Sequence, residues 1–375
     1  MPSVFDAYAI GSLKLKNRFM RSATWVGLAT EDGFATPGEC ALMADLAKGG
    51  IGLIASGHMA VEACGRARNR QLMLYDDRFV PGLEKLVQAV HANGAKIMAQ
   101  ISHTGNYGNE APSGETPRAV SYVPELAPTP RRVLTEADIL YIEDLFVAAA
   151  LRARDAGFDA VQLHCAHGYL FSQFLSPIFN KRTDQYGGNI AKRARALTET
   201  ITKIKAALGA AIPLLIKINA ADFNPGGLTA RDAVSAIKLC QQAGLDGVEL
   251  SGGLSCFGQD INLKSGPSRG GINTPDREAY FKPKAEALRA QCDLPLILVG
   301  GLRSFAVADS LVRDNIADMA ALSRPLIRDP FLVRRWQNGN HVTSDCLSCN
   351  DCFQPGYQGA GVYCTQSDRN VTYAR

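Results

Sequence analysis

The sequence predicts an α/β chain folded as one (β/α)8 TIM barrel with a short cysteine-rich C-terminal extension. Three observations carry that expectation. Eight short apolar, β-rich runs alternate with amphipathic helical stretches along 375 residues, an ordinary length for a barrel with insertions. Helical stretches end in glycine just before an apolar run, as in Ala156-Gly157-Phe158-Asp159-Ala160 and Ala243-Gly244-Leu245-Asp246-Gly247. That is the left-handed stop that feeds a parallel strand. Finally, a doubly wound open sheet would want a Gly-rich phosphate loop after its first strand, and none is present.

In chain order, strands are expected at Arg18–Ala23, Ile51–Ser56, Lys96–Ile101, Ala160–His164, Pro213–Asn219, Gly247–Ser251, Pro295–Gly300 and Asp318–Ser323. Helices are expected at Gly38–Lys48, Phe79–Asn93, Glu136–Ala156, Asn189–Leu208, Ala230–Ala243, Lys282–Gln291, Ser304–Arg313 and Asp329–Gln337. The barrel thus occupies residues 1–337, and the extension residues 338–375. Gly105–Arg132, rich in Pro, Gly, Ser and Glu, interrupts the repeat after the third strand, where a lid or substrate loop would fall.

Composition narrows the functional class. A hydrophobic fraction of 46% with 20% charged residues is that of a soluble globular protein. The formal charge of +4 is small, and no stripe of Lys and Arg marks a nucleic-acid surface. No apolar run approaches the roughly 20 residues of a membrane span. The N-terminus lacks a cationic start followed by an apolar core, so a cytoplasmic location is expected. Ten cysteines in such a chain suggest reduced thiols and metal ligands rather than disulfides. Cys40, Cys64, Cys165, Cys240, Cys256 and Cys292 are scattered and read as packing residues.

The stretch from His164 to Gly188 carries the chemistry. His164, His167 and Tyr169 lie within six residues at the end of a buried strand. Two imidazoles can donate hydrogen bonds to an oxygen, and a phenol can supply a proton. One histidine on a strand is more often a core residue; two with a tyrosine at a strand's C-terminal end fit a catalytic mouth. Barrels usually bind phosphate at the ends of the seventh and eighth strands. Here those ends carry Gly300, Gly301, Ser323 and Arg324, backbone room plus a guanidinium fork that suit a terminal phosphate. Lys217, inside the apolar run Leu215–Asn219, would be costly there without a functional reason.

The segment HCAHGYLFSQFLSPIFNKRTDQYGG closely resembles the fourth strand and loop of the old yellow enzyme family, FMN-dependent ene-reductases on a (β/α)8 barrel. The resemblance spans nearly the whole chain and implies FMN as cofactor with NAD(P)H as reductant. It carries Gln100 to the flavin's pyrimidine edge and Lys217 to its N1–C2=O region. It brings Ser22, Ala23, Thr24 and Trp25, with His58, to the cofactor. It also assigns His164 and His167 to the substrate oxygen and Tyr169 to the proton. The chain departs from the family at Trp25, where many relatives have Thr or Cys, so this ring is expected to stack on or narrow the substrate pocket. It departs again at Asn106, where relatives often have Arg.

In the tail, Cys346-x2-Cys349-x2-Cys352-x11-Cys364 is similar to the [4Fe–4S] ligand pattern of the branch holding dienoyl-CoA reductases and trimethylamine dehydrogenase-like enzymes. Zinc and free thiols are the other readings of four cysteines. Those relatives feed electrons through the cluster from a further flavin domain, which is not expected in this chain. The expected function is NAD(P)H-driven reduction of activated C=C bonds in an enone-type or dienoyl small molecule. The alternative is an amine or other substrate dehydrogenase that passes electrons through the cluster to a partner. A flavin-storage barrel would not need the His/His/Tyr set. Self-association is left open.

Overall fold

In the computed structural model, described over residues 1–108, 114–126, 130–255, 266–367 and Tyr373, every expected strand is present within two residues at either end. Cys256, and residues 109–113 and 127–129 of the expected lid, lie outside the described residues. The barrel strands are Phe19–Arg21, Leu53–Ala55, Lys96–Ser102, Ala160–Cys165, Leu214–Asn219, Gly247–Ser251, Leu296–Val299 and Met319–Leu322. All pair in parallel, each with its neighbours in the chain. The ring closes where the eighth strand meets the first, Leu322 opposite Arg21.

One device recurs at the N-terminal rim. Asp159, Asp246 and Asp318 each stand just before an even-numbered strand. Each accepts a backbone N–H from the strand before it, respectively Ile97 (2.9 Å), Leu214 (2.7 Å) and Leu296 (2.8 Å). Each also pairs with a nearby base, Lys96, Lys205 or Arg289. The same rim is plugged by an antiparallel hairpin, Tyr8–Ile10 with Leu13–Leu15. Its Ile10, Leu13 and Leu15 pack with Met20, Leu53, Met98, Leu215, Ile297 and Met319 to fill the barrel interior. With that end capped and apolar, polar interior chemistry is confined to the opposite, C-terminal end.

Helices surround the ring, and two of the expected ones differ from their predicted course. The stretch Asn189–Leu208 forms two helices, Ile190–Arg193 and Arg195–Leu208, broken at Ala194. Arg193 is buried at the break, donating to Leu175 O (2.8 Å) and pairing with Asp232 (2.7 Å). The last barrel helix starts at Leu332 rather than Asp329, because the Asp329 carboxylate accepts Phe331 N–H (3.0 Å) outside it. Short helices Leu170–Leu175 and Arg324–Arg328 were not expected. Among the described residues, no helix is long and apolar enough to cross a membrane.

The described part of Gly105–Arg132 packs on the catalytic end. Tyr107 meets Tyr169 edge-on at 6.5 Å, and a Cβ on Gly168 would sit 2.5 Å from the Tyr107 ring. Arg118–Ala119 and Arg132–Val133 form a small parallel pair that ties the segment's ends together. Asn106 occupies a buried position and donates to Leu126 O (3.1 Å), so it holds the loop.

Candidate active site

Strand register decides which side chains meet at the C-terminal end. Lys217 lies opposite His164 on one side and Glu249 on the other, and Gln100 lies opposite Gln162. These inward-facing polar residues form a linked floor. Gln100 Nε2 donates to Gln162 Oε1 (2.7 Å), and Gln162 Nε2 donates to Glu249 Oε2 (3.0 Å). Ser22 Oγ donates to Glu249 Oε1 (2.5 Å) and accepts from Lys217 Nζ (2.6 Å). Lys217 Nζ also pairs with Glu249 Oε1 at 2.9 Å. Glu249 is fully buried and Lys217 nearly so. Each buried charge compensates the other.

Above this floor stand His58, His164, His167 and Tyr169. The His164 ring lies 5.2 Å from that of His167 and 4.5 Å from that of Tyr169. His167 adopts a left-handed backbone, φ 62°, that turns its ring back over the barrel. Asn219 Oδ1 accepts its N–H (3.1 Å), and Ser251 Oγ sits 2.8 Å from its Nε2. Ser102 Oγ (3.1 Å) and Gln71 Nε2 (3.0 Å) both reach His58 Nδ1. His164 Nδ1, by contrast, is buried with no partner among the described residues.

Electrostatics set the protonation of this face. Burial, with Arg68 and Lys217 nearby, lowers the His58 pKa to about 3. Burial, with the neighbouring imidazoles and Lys217 adding to it, holds His164 and His167 well below the ordinary histidine range. Burial pushes the Tyr169 phenol up, so it keeps its proton at neutral pH. The mouth therefore offers neutral imidazoles and an intact phenol.

One cavity joins floor, histidines and the expected phosphate corner. Ser22, Ala23, Thr24, Trp25, His58 and Gln100 line it from the first three strands. His164, His167, Tyr169 and Lys217 line its middle, and Gly301, Ser323 and Arg324 its far end. Gly300 does not line it; its carbonyl accepts Tyr280 N–H, and a Cβ there would press on the Tyr280 and Phe281 rings. Gly301 does, at φ 75° and with Tyr280 2.8 Å from any added Cβ, so only glycine fits. Sequence reasoning missed Gln162, Glu249, Ser251 and Arg303. A carboxylate in the apolar run Gly247–Ser251 was a signal of the same kind as Lys217.

The cysteine tail folds back onto this cavity. Arg324 Nη1 donates to Ser348 O (3.3 Å) and Asn350 Oδ1 (2.7 Å), so the guanidinium at the phosphate corner is held by the tail. Tyr357 stacks on Trp25 at 5.6 Å and 19°, and Val362 N–H donates to Val26 O (2.8 Å). Burial pushes the Cys352 thiol up to about 12, with Cys346, Cys349 and Cys364 adding to the push and Arg324 opposing it. Among the described residues, however, the only three ligand-type atoms within 4.8 Å of one another belong to Glu62, Cys64 and His103. That trio is not arranged for a metal. Gly105 N–H donates to His103 Nδ1 (2.9 Å), which leaves the ring proton on Nε2, facing Glu62 Oε2 at 3.0 Å.

Residues 3–342 match the family model of the NADH:flavin oxidoreductase / NADH oxidase family. The chain belongs to that family. It is 31% identical to 4,4'-dithiodibutanoate disulfide reductase of Rhodococcus erythropolis, over 96% of this chain and 94% of the relative. It is 34% identical to an NADH oxidase of Thermoanaerobacter brockii, over 93% of this chain and 53% of the relative. A solved 2-naphthoyl-CoA reductase is similar with a TM-score of 0.87 and 26% identity, covering 96% of this chain and 56% of that one. The chain thus spans about half the length of the latter two. Membership bears out the expected old yellow enzyme barrel and its chemistry, an FMN-dependent oxidoreductase that uses NAD(P)H. The residues fit FMN: one cavity holds a polar floor with an ammonium and, at its far end, a glycine and a guanidinium.

Proposed function

We propose that this family member reduces activated C=C bonds conjugated to a carbonyl group. The observation that carries the reading is the convergence of His164, His167 and Tyr169 over one cavity whose floor holds Lys217. FMN, when bound, supplies the hydride that ends on the alkene β-carbon. On this reading Gln100 and Lys217 hold the pyrimidine end of the cofactor, and Gly301, Ser323 and Arg324 hold its phosphate. Gln100 gives one amide N–H to Gln162, so its Oε1 and second N–H remain for a ligand.

His164 and His167 receive the carbonyl oxygen of the substrate. As neutral rings they donate N–H groups to an oxygen that becomes enolate-like, an interaction that strengthens as charge develops. Tyr169 then gives its phenolic proton to the α-carbon, so that hydride and proton together saturate the double bond. Trp25 forms the side wall and limits the width of the alkene.

For the tail we propose a [4Fe–4S] cluster on Cys346, Cys349, Cys352 and Cys364. The Cys346-x2-Cys349-x2-Cys352-x11-Cys364 spacing supports it, since four thiolates are the ligand set such a cluster requires. Exposed Cys349 suits the electron-transfer partner of the alternative expectation. Iron, acid-labile sulfide and zinc measured on anaerobically prepared protein test this; stoichiometric zinc without sulfide would reverse it.

The central reading is tested by reducing the flavin anaerobically with NAD(P)H and then adding 2-cyclohexenone. Flavin reoxidation with formation of cyclohexanone is expected. Reoxidation by an amine-derived imine or a disulfide, but by no enone, would overturn it.

A further inference from the structure

Trp25 walls the catalytic cavity and also lines an adjoining groove with Arg68, Arg70 and Tyr357. The Arg68 guanidinium lies 4.6 Å over the Tyr357 ring and 5.7 Å from the Trp25 ring, on the stacked pair at the cavity's edge. Stacking on aromatic faces holds a guanidinium in place while its N–H edge stays free for a bidentate acceptor.

The charges around it are already committed. Arg66 donates to Glu31 O and Arg68 O, and Arg70 pairs with the Glu31 carboxylate. Gln71 Oε1 receives the Arg68 backbone N–H (3.4 Å), which helps fix the turn. The Arg68 guanidinium is exposed and, among the described residues, has no ion pair or hydrogen bond. Its field nevertheless reaches into the mouth, where it acts on both His58 and Tyr169. A cation stacked beside the reacting pocket yet unpaired has the arrangement of a ligand anchor.

We propose that Arg68 binds an anionic group on the substrate's tail, a carboxylate or a phosphate, while the substrate's alkene end lies beneath His164 and His167. The preferred substrates are then activated alkenes with a negatively charged tail that passes Trp25. This inference rests on the C=C reading of the cavity and assigns its substrate class.

The test uses the flavin-loaded protein and does not depend on turnover. Phenols that perturb the flavin spectrum are titrated as matched pairs, p-hydroxyphenyl alkanoic acids of increasing chain length against their methyl esters. The acid of the best length should bind about 10-fold or more tightly than its ester, the increment of a charge-assisted hydrogen bond. Arg68→Gln should bring that ratio close to one, Arg68→Lys should keep part of it, and added salt should shrink it. Enoyl thioesters of coenzyme A and of N-acetylcysteamine form the second arm. An Arg68-dependent preference confined to the coenzyme A thioester would make phosphate the recognised group. Equal affinity for acid and ester with no thioester preference, a preference that survives Arg68→Gln, or equal weakening of acid and ester would each overturn the proposal. If the acid preference holds while no enone is reduced, the anchor stands and the C=C reading falls.

Discussion

The floor and the mouth of this cavity are built on opposite terms. In the floor, Gln100, Gln162, Glu249, Ser22 and Lys217 satisfy one another through five contacts of 2.5–3.0 Å. In the mouth, a few Å above, His164 keeps a buried nitrogen without a partner among the described residues. Folding completes the floor, and a ligand must complete the mouth. The contrast explains how a charged residue can sit inside an apolar strand while hydrogen-bond donors beside it stay available. The floor's energy is spent internally on a fixed platform, and the mouth's is reserved for the reacting oxygen.

Three experiments probe this division, ordered by expected size. Lys217→Met would leave Glu249 buried and uncompensated, at a cost of about 3–5 kcal/mol in unfolding free energy. Lys217→Met combined with Glu249→Gln should recover most of that loss. If the single variant proves neutral in denaturant unfolding of flavin-free protein, the floor is not an internally balanced unit.

His164→Ala should behave in the reverse manner, leaving stability little changed while weakening a bound phenolate. Loss of one oxyanion donor costs roughly 2.7–4 kcal/mol where the site is well ordered. The charge-transfer band of the phenolate over the flavin reports it directly. Unchanged phenol affinity would remove His164 from the oxygen site.

Smallest per unit step is the effect of pH. His58 and His164 are held neutral in the folded chain, their pKa values lowered by burial, whereas both protonate near 6.5 when unfolded. The unfolded state therefore binds more protons below that pH, and stability falls as pH drops from about 6.5 towards the folded values, about 3 for His58. Each histidine should contribute a slope of up to about 1.4 kcal/mol per pH unit. His58→Asn should flatten the stability profile in that window; an unaltered slope would mean that the ring is not held neutral.

The same contrast separates what could be read in the sequence from what could not. Strands and helices were legible because period, length and the Gly-x-Asp stops are local signals, as at Gly157-Phe158-Asp159 and Gly244-Leu245-Asp246. His164, His167 and Tyr169 were legible because one loop carries all three. Glu249 and Gln162 were missed, since their meaning depends on which side chain lies opposite in a neighbouring strand. The break at Ala194 turns on Arg193 meeting Asp232, a contact that helical periodicity does not contain. Contact between the tail and the mouth was likewise hidden. Trp25 could be singled out as a departure, but its stacking partner Tyr357 lies more than 300 residues further on.

The reading of the mouth as an alkene-reducing site is tested most directly by Tyr169→Phe, with the two half-reactions followed separately by anaerobic stopped-flow. The phenol's proposed task is confined to protonating the α-carbon, and its lost proton transfer should slow enone-driven flavin reoxidation by ~10²–10⁴-fold. Flavin reduction by NAD(P)H should be nearly unchanged. Equal slowing of both half-reactions, or an unaffected reoxidation rate, would contradict the account.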